Sequence, residues 1–325
     1  MQTTRAVFRQ FGGPEVIEWI TDDLPAPGPG EVTIEHGAVG LNFIDTYHRR
    51  GIYPVDLPSG LGLEAAGRIL AVGEGVDEYR EGDRVATFGP LLGAYATRRN
   101  VGAAHLFRLP DTIDDRTAAA AILKACTAEF LIERCARVEA GQDVLVHAAA
   151  GGVGLLLCQW LKHIGARVIG TVSTEEKAAA ARGAGADEIV LYSREDIAPR
   201  VRELTGGNGV RVTFDGIGRA TWEASLDSTG RRGLLVNYGN ADAPVEGVNL
   251  GILARKGSLY NTRPTLFDYY ADPDERAAGA ARVWDLIARD VLSVTIGQTY
   301  ALADAAQAHR DLQDRKTTGS TVLIP

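Results

Sequence analysis

Residues 143–154 read Asp143-Val-Leu-Val-His-Ala-Ala-Ala-Gly-Gly-Val-Gly154, and this stretch decides the fold class. The apolar run Val144–Ala148 predicts a buried strand, and the apolar residues from Val153 to Ile164 predict a helix. The turn between them follows the pattern Gly-x-Gly-x-x-Gly with alanine in the first place. Gly151 lets the main chain approach a pyrophosphate, and Gly154 lets the helix pack closely on the strand. Strand, turn and helix together predict a dinucleotide site; a tight turn without a ligand is the alternative.

Strand-like and helix-like segments alternate on the carboxyl side of this turn. Such alternation predicts an α/β domain with a parallel sheet covered by helices on both faces. Strands are expected at Arg167–Val172, Glu188–Leu191, Val210–Phe214, Gly233–Asn237 and Ser258–Asn261, and helices at Glu175–Ala181, Ile197–Thr205 and Thr221–Leu226.

The regions on either side of this α/β segment have a different sequence pattern. Short apolar runs separated by glycine and proline turns fill the first 115 residues and predict a compact, mostly β domain. A helical run extends from Thr117 to about Val138. The last 60 residues predict a helix at about 274–290, a short strand near 294–296, a helix near 303–313 and a strand at Ser320–Ile324. We therefore expect a first domain at 1–120, a sheet–helix domain at 121–264 and a return to the first domain at 265–325.

Composition limits the class of partner and the compartment. The chain has 325 residues and a formal net charge of −8, which argues against nucleic acid as a partner. Three cysteines fit no disulfide framework, so a reducing, cytoplasmic setting is expected. The most apolar stretch, around 117–132, is interrupted by Lys124 and Glu129, so no membrane span is expected. The N-terminus leads straight into strand-like sequence, and no signal peptide is expected.

The end of the second strand of the sheet–helix domain selects the nicotinamide cofactor. An NAD site usually has an acid there, on the ribose 2′-hydroxyl. The segment Ile169–Ser173 has none, and Ser173 and Lys177 suit a 2′-phosphate, which predicts NADPH. Tyr192 can pack on adenine or donate to the phosphate. The alternatives are a solvated helix charge for Lys177 and a sheet-edge aromatic for Tyr192, and the two acids at 175–176 weigh against the assignment.

The histidines give no sign of a metal site. They are scattered and form no close ligand set with the cysteines, so metal-assisted alcohol chemistry is not expected. Their positions are His36, His48, His105, His147, His163 and His309.

Motifs spread along the whole chain match one known family. They are Phe11-Gly-Gly-Pro-Glu-Val16, Gly40-Leu-Asn-Phe-Ile-Asp-Thr-Tyr47, Gly51-Ile-Tyr-Pro54, Pro58-Ser-Gly-Leu-Gly62, Glu64-Ala-Ala-Gly67, Gly82-Asp-Arg-Val85, His147-Ala-Ala-Ala-Gly-Gly-Val-Gly154, Val248-Asn-Leu-Gly-Ile-Leu253, Gly257-Ser-Leu-Tyr260 and Thr262-Arg-Pro264. The chain resembles the zinc-free quinone oxidoreductases, the zeta-crystallin relatives in the medium-chain dehydrogenase/reductase superfamily. The resemblance implies a GroES-like, mostly β catalytic domain around a doubly wound Rossmann domain, and a homodimer formed through the Rossmann sheet. Zinc alcohol dehydrogenases carry Gly-His-Glu where this chain has leucine at position 63.

The resemblance also implies individual roles. Cofactor contacts are expected from Asn42, Phe43, Thr127, Gly152, Val153, Ser173, Lys177, Tyr192, Tyr238, Arg263 and Arg315, and the glycine turn adds Ala150 and Gly151. The residues implied to line the nicotinamide and quinone pocket, and expected to be catalytic, are Asn42, Tyr47, Tyr53 and Arg263. Glu129 departs from the tyrosine usual in close relatives, and we expect an acid there to alter the pocket or the cofactor rim. Tyr238 replaces a common phenylalanine.

The expected reaction is metal-free reduction of a quinone by NADPH. A reduced quinone leaves as a phenolate, so hydrogen-bond donors near its oxygens suffice, and Tyr47, Tyr53 and Asn42 are candidates. Asn42 can equally cap a turn, the tyrosines can simply pack, and Arg263 can fix an interdomain loop. The alternatives are an NADPH-dependent enal or enone C=C reductase and a non-catalytic NADPH-binding or RNA-binding crystallin-like protein.

Overall fold

The computed structural model describes residues 1–89 and 91–325, and they form two compact units. The first, here called the β unit, comprises Met1–Lys124, Asp272–Trp284 and Val294–Pro325. The second, the α/β unit, comprises Ala125–Ala271 and Asp285–Ser293. The domain limits expected from the sequence stay a prediction.

Strands of the described residues are numbered in chain order. They are β1 Gln2–Phe8, β2 Glu18–Asp23, β3 Glu31–Leu41, β4 Ser59–Gly60, β5 Glu64–Val72, β6 Arg84–Phe88, β7 Arg98–Gly102, β8 Leu106–Arg108, β9 Asp143–Val146, β10 Arg167–Val172, β11 Glu188–Leu191, β12 Val210–Asp215, β13 Thr229–Asn237, β14 Tyr260–Thr262, β15 Ile296–Ala301 and β16 Ser320–Ile324.

Helices are numbered in the same way. They are α1 Phe43–Arg49, α2 Asp115–Glu129, α3 Gly152–Ile164, α4 Glu175–Gly183, α5 Ile197–Leu204, α6 Trp222–Ser228, α7 Gly251–Arg255, α8 Leu266–Tyr269, α9 Pro273–Ala288 and α10 Ala305–Gln313. Single 3₁₀ turns occur at Pro14–Val16, Ala103–His105, Arg219–Thr221 and Leu302–Asp304, and a π-helix at Phe130–Ala136.

The α/β unit is built on one parallel sheet of six strands in the order β11-β10-β9-β12-β13-β14. The chain starts at the central β9, moves outward to β11, then returns to β12 on the other side. This reversal places a crevice at the carboxyl end of β9, the usual ligand position in doubly wound sheets. Buried Leu145, Ile169 and Val190 of neighbouring strands pack with Val201 of α5. The predicted parallel sheet with intervening helices is confirmed.

The β unit contains two sheets. The larger has the order β15-β16-β3-β5-β6-β8, with β7 also paired to β3, and the smaller has the order β2-β1-β4. Strands β15 and β16 are parallel, and the other pairs are antiparallel. Its core includes fully buried Phe8, Tyr95 and Leu323. The prediction of a mostly β first domain is confirmed.

One local prediction is confirmed with a detail that the sequence did not indicate, and another was wrong in its bounds. The helical run expected from Thr117 to Val138 divides at Glu129, where α-helix gives way to the π-helix, and the run ends at Arg137 in left-handed conformation (φ 49°). Helix α2 is buried on almost every side, so its apolar residues give no period that marks this change. The strand expected near 294–296 lies at Ile296–Ala301. It is an edge strand that alternates between half-buried and exposed residues, which weakens its apolar signal.

Candidate functional site

The glycine turn connects β9 to α3 in the way the sequence predicts. Gly151 is the N-cap residue of α3 and has an extended conformation. A Cβ atom on Gly154 would lie 2.2 Å from the carbonyl oxygen of Ala148, so only glycine allows the helix to pack this closely. A Cβ atom on Gly151 would meet that oxygen at 3.2 Å and nothing else within 4 Å. Gly154 therefore serves packing, and Gly151 keeps space open above the turn.

The predicted cofactor residues of the α/β unit follow the carboxyl ends of its parallel strands. Ala150, Gly151, Gly152 and Val153 follow β9, Ser173 and Lys177 follow β10, Tyr192 follows β11, Tyr238 follows β13, and Arg263 follows β14. Parallel strands end at one edge of the sheet, so the topology gathers these positions there. Thr127 lies apart from them in sequence, buried near the end of α2.

The segment after β10 has the polar character expected around a 2′-phosphate. The hydroxyl of Thr174 caps α4 and accepts a hydrogen bond from the main-chain N–H of Lys177 at 3.2 Å. Glu175, which weighed against a phosphate here, forms an ion pair with Arg194 at 2.6 Å. Arg194 was missed in the sequence reading because it follows a different strand, β11. Its position beside Tyr192 in the chain was the available signal.

A buried chain of hydrogen bonds lies behind the glycine turn. His147 Nδ1 is 3.0 Å from the hydroxyl of Thr171, and His147 Nε2 is 3.0 Å from the hydroxyl of Ser225. That serine donates to Asp215 Oδ2 at 2.6 Å. Because Ser225 gives its proton to Asp215, it accepts from the Nε2–H of His147. Burial lowers the pKa of His147, which keeps the imidazole neutral. These contacts favour a structural role for Asp215.

The other candidates of the α/β unit make local contacts. The main-chain N–H of Tyr238 donates to the carbonyl of Asp215 at 2.8 Å, and its ring packs over Gly216, where a Cβ atom would lie 2.9 Å from it. Arg263 is exposed and donates from Nη1 to the carbonyl of Pro264 at 3.0 Å.

Four candidates of the β unit cluster on α1 and the loop after it. Asn42 is the N-cap residue of α1, and Phe43 begins the helix and packs against the core. Tyr47 is buried, and its ring meets that of Tyr53 edge-on with centroids 5.3 Å apart. Arg315 lies elsewhere in this unit, exposed after α10 in left-handed conformation (φ 61°).

The side chain of Asn42 is held by a fully buried carboxylate. Glu64 Oε2 accepts from Asn42 Nδ2 at 2.8 Å and from the Lys124 ammonium at 3.0 Å. Glu64 Oε1 accepts from the main-chain N–H of Leu123 at 2.7 Å. Neither Glu64 nor Lys124 was predicted as a site residue. A lysine inside an apolar helical run was the signal, because a buried ammonium requires an acid nearby.

A second buried network surrounds α1. Asp45 Oδ2 accepts from the main-chain N–H of Asn42 at 2.9 Å and from the hydroxyl of Tyr95 at 3.1 Å. The same hydroxyl is 2.9 Å from His309 Nε2. Burial raises the pKa of Asp45 to about 7 and lowers that of His309 to about 3, an effect to which the Arg49 guanidinium adds. Asp45 Oδ1 and His309 Nδ1 are buried without a hydrogen-bond partner.

Glu129, the unusual acid, is also buried and paired. Its Oε2 accepts from the hydroxyl of Tyr270 and from Arg134 Nη2, each at 2.8 Å. The guanidinium of Arg134 lies over the ring of Tyr270, 4.8 Å from its centroid. Burial raises the pKa of Glu129 in spite of these bonds. The expected effect of this acid on the pocket or the cofactor rim stays a prediction.

The described residues contain neither a metal-binding cluster nor a helix that could cross a membrane. None of these residues belongs to a set of three or more His, Cys, Asp or Glu side chains that could hold a metal ion. No helix among them has the length and apolar character needed to cross a membrane.

Comparison with known proteins identifies the family. The family model described as "Alcohol dehydrogenase GroES-like domain" matches residues 28–111, and "Zinc-binding dehydrogenase" matches 152–263. A quinone oxidoreductase of Pseudomonas aeruginosa is 50% identical over 322 residues, 99% of both chains. The crystal structure of Escherichia coli quinone oxidoreductase complexed with NADPH has a TM-score of 0.97 at 46% identity and covers 99% of this chain and 100% of that one. A 2-haloacrylate reductase of a Burkholderia species is 41% identical over 330 residues, 98% of both.

Fold and matched models together define an oxidoreductase of the medium-chain dehydrogenase/reductase superfamily, with a GroES-like domain and a Rossmann domain as predicted. Within that superfamily, the chain belongs to the quinone oxidoreductase family.

Proposed function

We propose that this chain is an NADPH-dependent quinone reductase that works without a metal ion. The observation that carries the proposal is the identity of 50% and 46%, over nearly the whole chain, to two proteins named quinone oxidoreductases. The E. coli protein was solved with NADPH. The absence of a three-ligand metal cluster among the described residues is compatible with the metal-free part, as is Leu63 in place of the histidine of zinc relatives.

The carboxyl edge of the α/β sheet fits a dinucleotide with a 2′-phosphate. The open space above Gly151 suits the pyrophosphate, and the free N–H groups of the first turn of α3 suit its charge. Ser173 and Lys177 stand where an NAD site has an acid, and Glu175, one of the two competing acids, forms an ion pair with Arg194. Ala150, Gly152, Val153, Tyr192, Tyr238 and Arg263 of the α/β unit, with Thr127, Asn42, Phe43 and Arg315, complete the proposed cofactor set.

NADPH supplies the hydride when it is bound. This chain's part in the reaction is to orient the quinone and to donate hydrogen bonds to its oxygens, where negative charge develops. We assign the donors to Asn42, Tyr47 and Tyr53, and an orienting role to Arg263. The edge-on contact between the rings of Tyr47 and Tyr53 restricts both side chains and so supports a fixed arrangement.

We further propose a homodimer formed through the edge of the α/β sheet, in the cytoplasm. Strand β14 ends the sheet, and Tyr260 on it is 62% exposed, while Leu250 before α7 is 73% exposed. Exposed apolar side chains beside an unpaired strand edge favour association. Cys126, Cys135 and Cys158 are unbridged, which suits a reducing compartment. A solution mass near the 34.6 kDa of one chain would reject the dimer.

Initial rates with 1,4-benzoquinone test the cofactor assignment. We expect faster oxidation of NADPH than of NADH at equal concentration. In Lys177→Ala, KM for NADPH should rise about tenfold through loss of one charged phosphate contact, while KM for NADH stays unchanged. Lys162→Ala is the matched control, since Lys162 forms an ion pair with Asp187 on the same unit. Preference for NADH, or equal effects of both substitutions, would contradict the assignment.

Reduction of an activated C=C bond is the second candidate, favoured by the 41% identity to a 2-haloacrylate reductase. It needs the same hydride donor and the same stabilisation of a developing oxyanion. A panel of 1,4-benzoquinone, 1,2-naphthoquinone, 2-alkenals and 2-chloroacrylate separates the two by kcat/KM. A higher kcat/KM on any of the C=C substrates than on every quinone overturns the quinone assignment. Tight NADPH binding without turnover of any of these would instead favour a non-catalytic NADPH-binding protein, for which the net charge of −8 disfavours RNA as a partner.

A further inference from the structure

The cluster formed by Asn42, Glu64 and Lys124 lies entirely within the β unit and is closed to solvent. The side chains of Lys124 and Glu64 are 6% and 0% exposed. Glu64 accepts three hydrogen bonds, one from each of Asn42 Nδ2, Lys124 Nζ and the N–H of Leu123. Because water does not reach the Glu64 carboxylate, these three protein donors are its hydrogen-bond partners, and each of them donates to it.

The fold reserves space for this carboxylate. Strand β3 places Gly40 opposite Glu64, the first residue of β5. A Cβ atom on Gly40 would lie 2.3 Å from Glu64 Oε2 and 2.2 Å from the carbonyl oxygen of Ala119. The glycine therefore has no room for any side chain, because the carboxylate and α2 occupy it. Gly40 thus leaves room both for the close approach of α2 and for the buried carboxylate of Glu64.

Glu64 determines which end of the Asn42 amide faces it. An ionised carboxylate only accepts hydrogen bonds, so the NH₂ group, and not the oxygen, must point to Glu64. The other end of the amide faces α1, where the Asn42 side chain accepts from the main-chain N–H of Asp45 in a capping box, so the second N–H stays available for another partner. Without an anionic acceptor, the capping box with Asp45 would be left to set the orientation of an amide whose two ends are similar in shape. Lys124 supplies the countercharge that makes a buried carboxylate tolerable.

We propose that Glu64 and Lys124 are positioning residues that fix the Asn42 amide for its work on the nicotinamide or the substrate. This inference rests on the proposed function only in the role given to Asn42. The Lys124 ammonium holds the Glu64 carboxylate in place through their ion pair, and Glu64 holds Asn42. Neither side chain touches substrate.

Kinetics of five variants test the proposal: Asn42→Ala, Glu64→Gln, Lys124→Met and the double variants Asn42→Ala/Glu64→Gln and Glu64→Gln/Lys124→Met. Glu64→Gln leaves one acceptor oxygen for three donors, so we expect at least a tenfold fall in kcat/KM with 1,4-benzoquinone. In an Asn42→Ala background the same substitution should change kcat/KM less than twofold, because its target is gone. Equal losses in both backgrounds, or no loss in either, would overturn the proposal.

Thermal unfolding separates positioning from stability. Each single substitution in the ion pair leaves a buried unpaired group and should lower Tm, whereas the double variant removes both charges and should recover most of it. Its kcat/KM should stay within twofold of that of Glu64→Gln, because glutamine still presents an amide where Asn42 needs a carboxylate. Recovery of kcat/KM together with Tm would show a purely structural pair and reject the proposal. The double variant also replaces any single variant that fails to fold.

Asp115→Asn is the matched control. It removes the acid of another ion pair, with Arg84 at 2.7 Å, on the same helix but nine residues or about 14 Å from Lys124. We expect unchanged kcat/KM. NADPH affinity, measured by fluorescence, distinguishes failure of the proposed function from failure of this inference. If the parent protein reduces no quinone, Glu64→Gln must still weaken NADPH binding at least fivefold when Asn42 is present. The same substitution must leave NADPH binding unchanged in the Asn42→Ala background.

Discussion

Two buried chains of hydrogen bonds, one in each unit, join a carboxylate to a histidine through a hydroxyl group. In the α/β unit the chain runs from Asp215 through Ser225 to His147. In the β unit it runs from Asp45 through Tyr95 to His309. The two chains contain the same kinds of group, but they differ in how many of their polar atoms have a hydrogen-bond partner.

The α/β chain is complete. Both oxygens of Asp215 accept hydrogen bonds, among them those from the N–H groups of Ile217 and Gly218 and from the hydroxyl of Thr221. His147 uses both ring nitrogens, with Thr171 at the far end. This network fixes the turn after β12 and the strand behind the glycine turn. It behaves as a scaffold and has no group left to react.

The β chain is incomplete. Both hydrogen bonds to Asp45 reach the same oxygen, and Oδ1 has no partner. His309 Nδ1 is unpartnered as well, and the fully buried Arg49 has two guanidinium nitrogens without acceptors. Buried polar groups without hydrogen-bond partners lower the stability of the folded state. Here they surround α1, which contains Phe43 and Tyr47 and is capped by Asn42. The two networks therefore differ in how many of their polar atoms have hydrogen-bond partners, and not in the kinds of residue that form them.

The largest expected effect tests the complete chain. Both carboxylate oxygens of Asp215 accept hydrogen bonds, so in Asp215→Asn the NH₂ group faces hydrogen-bond donors in either orientation of the amide. The substitution should lower the free energy of unfolding by about 3 kcal/mol. Calorimetric unfolding of the full chain measures it. A loss below about 1 kcal/mol would mean that the network does not act as a scaffold.

Asp45→Asn should behave in the opposite way and depend on pH. The pKa of Asp45 is about 7 in the folded protein, above its unfolded value of about 3.9. The folded state therefore binds the proton more tightly. The resulting stability is fully present below the unfolded pKa and is lost as pH rises through 7. Asparagine keeps one oxygen for both existing donors and never ionises. Relative to the parent, the variant should gain about 2 kcal/mol between pH 5 and pH 8. An equal difference at both pH values would contradict the comparison.

The smallest effect compares two serines of α6. Ser225→Ala removes the partner of His147 Nε2 and should cost about 1–2 kcal/mol, a fall in Tm of about 2–3 °C for a chain of this length. Ser228→Ala is the matched control, since that hydroxyl is equally buried and has no hydrogen-bond partner. We expect it to be neutral within about 0.5 kcal/mol. Equal losses for the two serines would show that burial alone matters there.

Much of the fold could be read from the sequence because its signals are local. The bounds of β10, β11 and β16 match the predicted strands, and the turn with Gly154 packs as its pattern predicts. The π-helix after Glu129 and the position of β15 could not be read. Helix α2 is buried on almost every side, and β15 is an edge strand with half-buried and exposed residues. Neither element therefore shows a clear hydrophobic period in the sequence.

The site divides in the same way. The positions of Ser173, Lys177 and the glycine turn at strand ends could be read from the sequence because each lies next to the strand that positions it, and their cofactor contacts stay a prediction. Arg194 beside Glu175 and Lys124 beside Glu64 were not, because each pair joins elements far apart in the chain. Only the register of paired strands and the packing of helices decide such contacts.

Lys124 and Glu129 show most plainly what each level decided. In the sequence they interrupt an apolar run, which argues against a membrane span there, and Glu129 also departs from the tyrosine usual in close relatives. In the fold both are buried charges with partners, Glu64 for one and Arg134 for the other. The sequence determined the alternation of strands and helices and the dinucleotide turn, since sterics and hydrophobic period act over a few residues. Tertiary structure decided which charges meet, since a buried charge is stable only beside a partner that the fold brings to it.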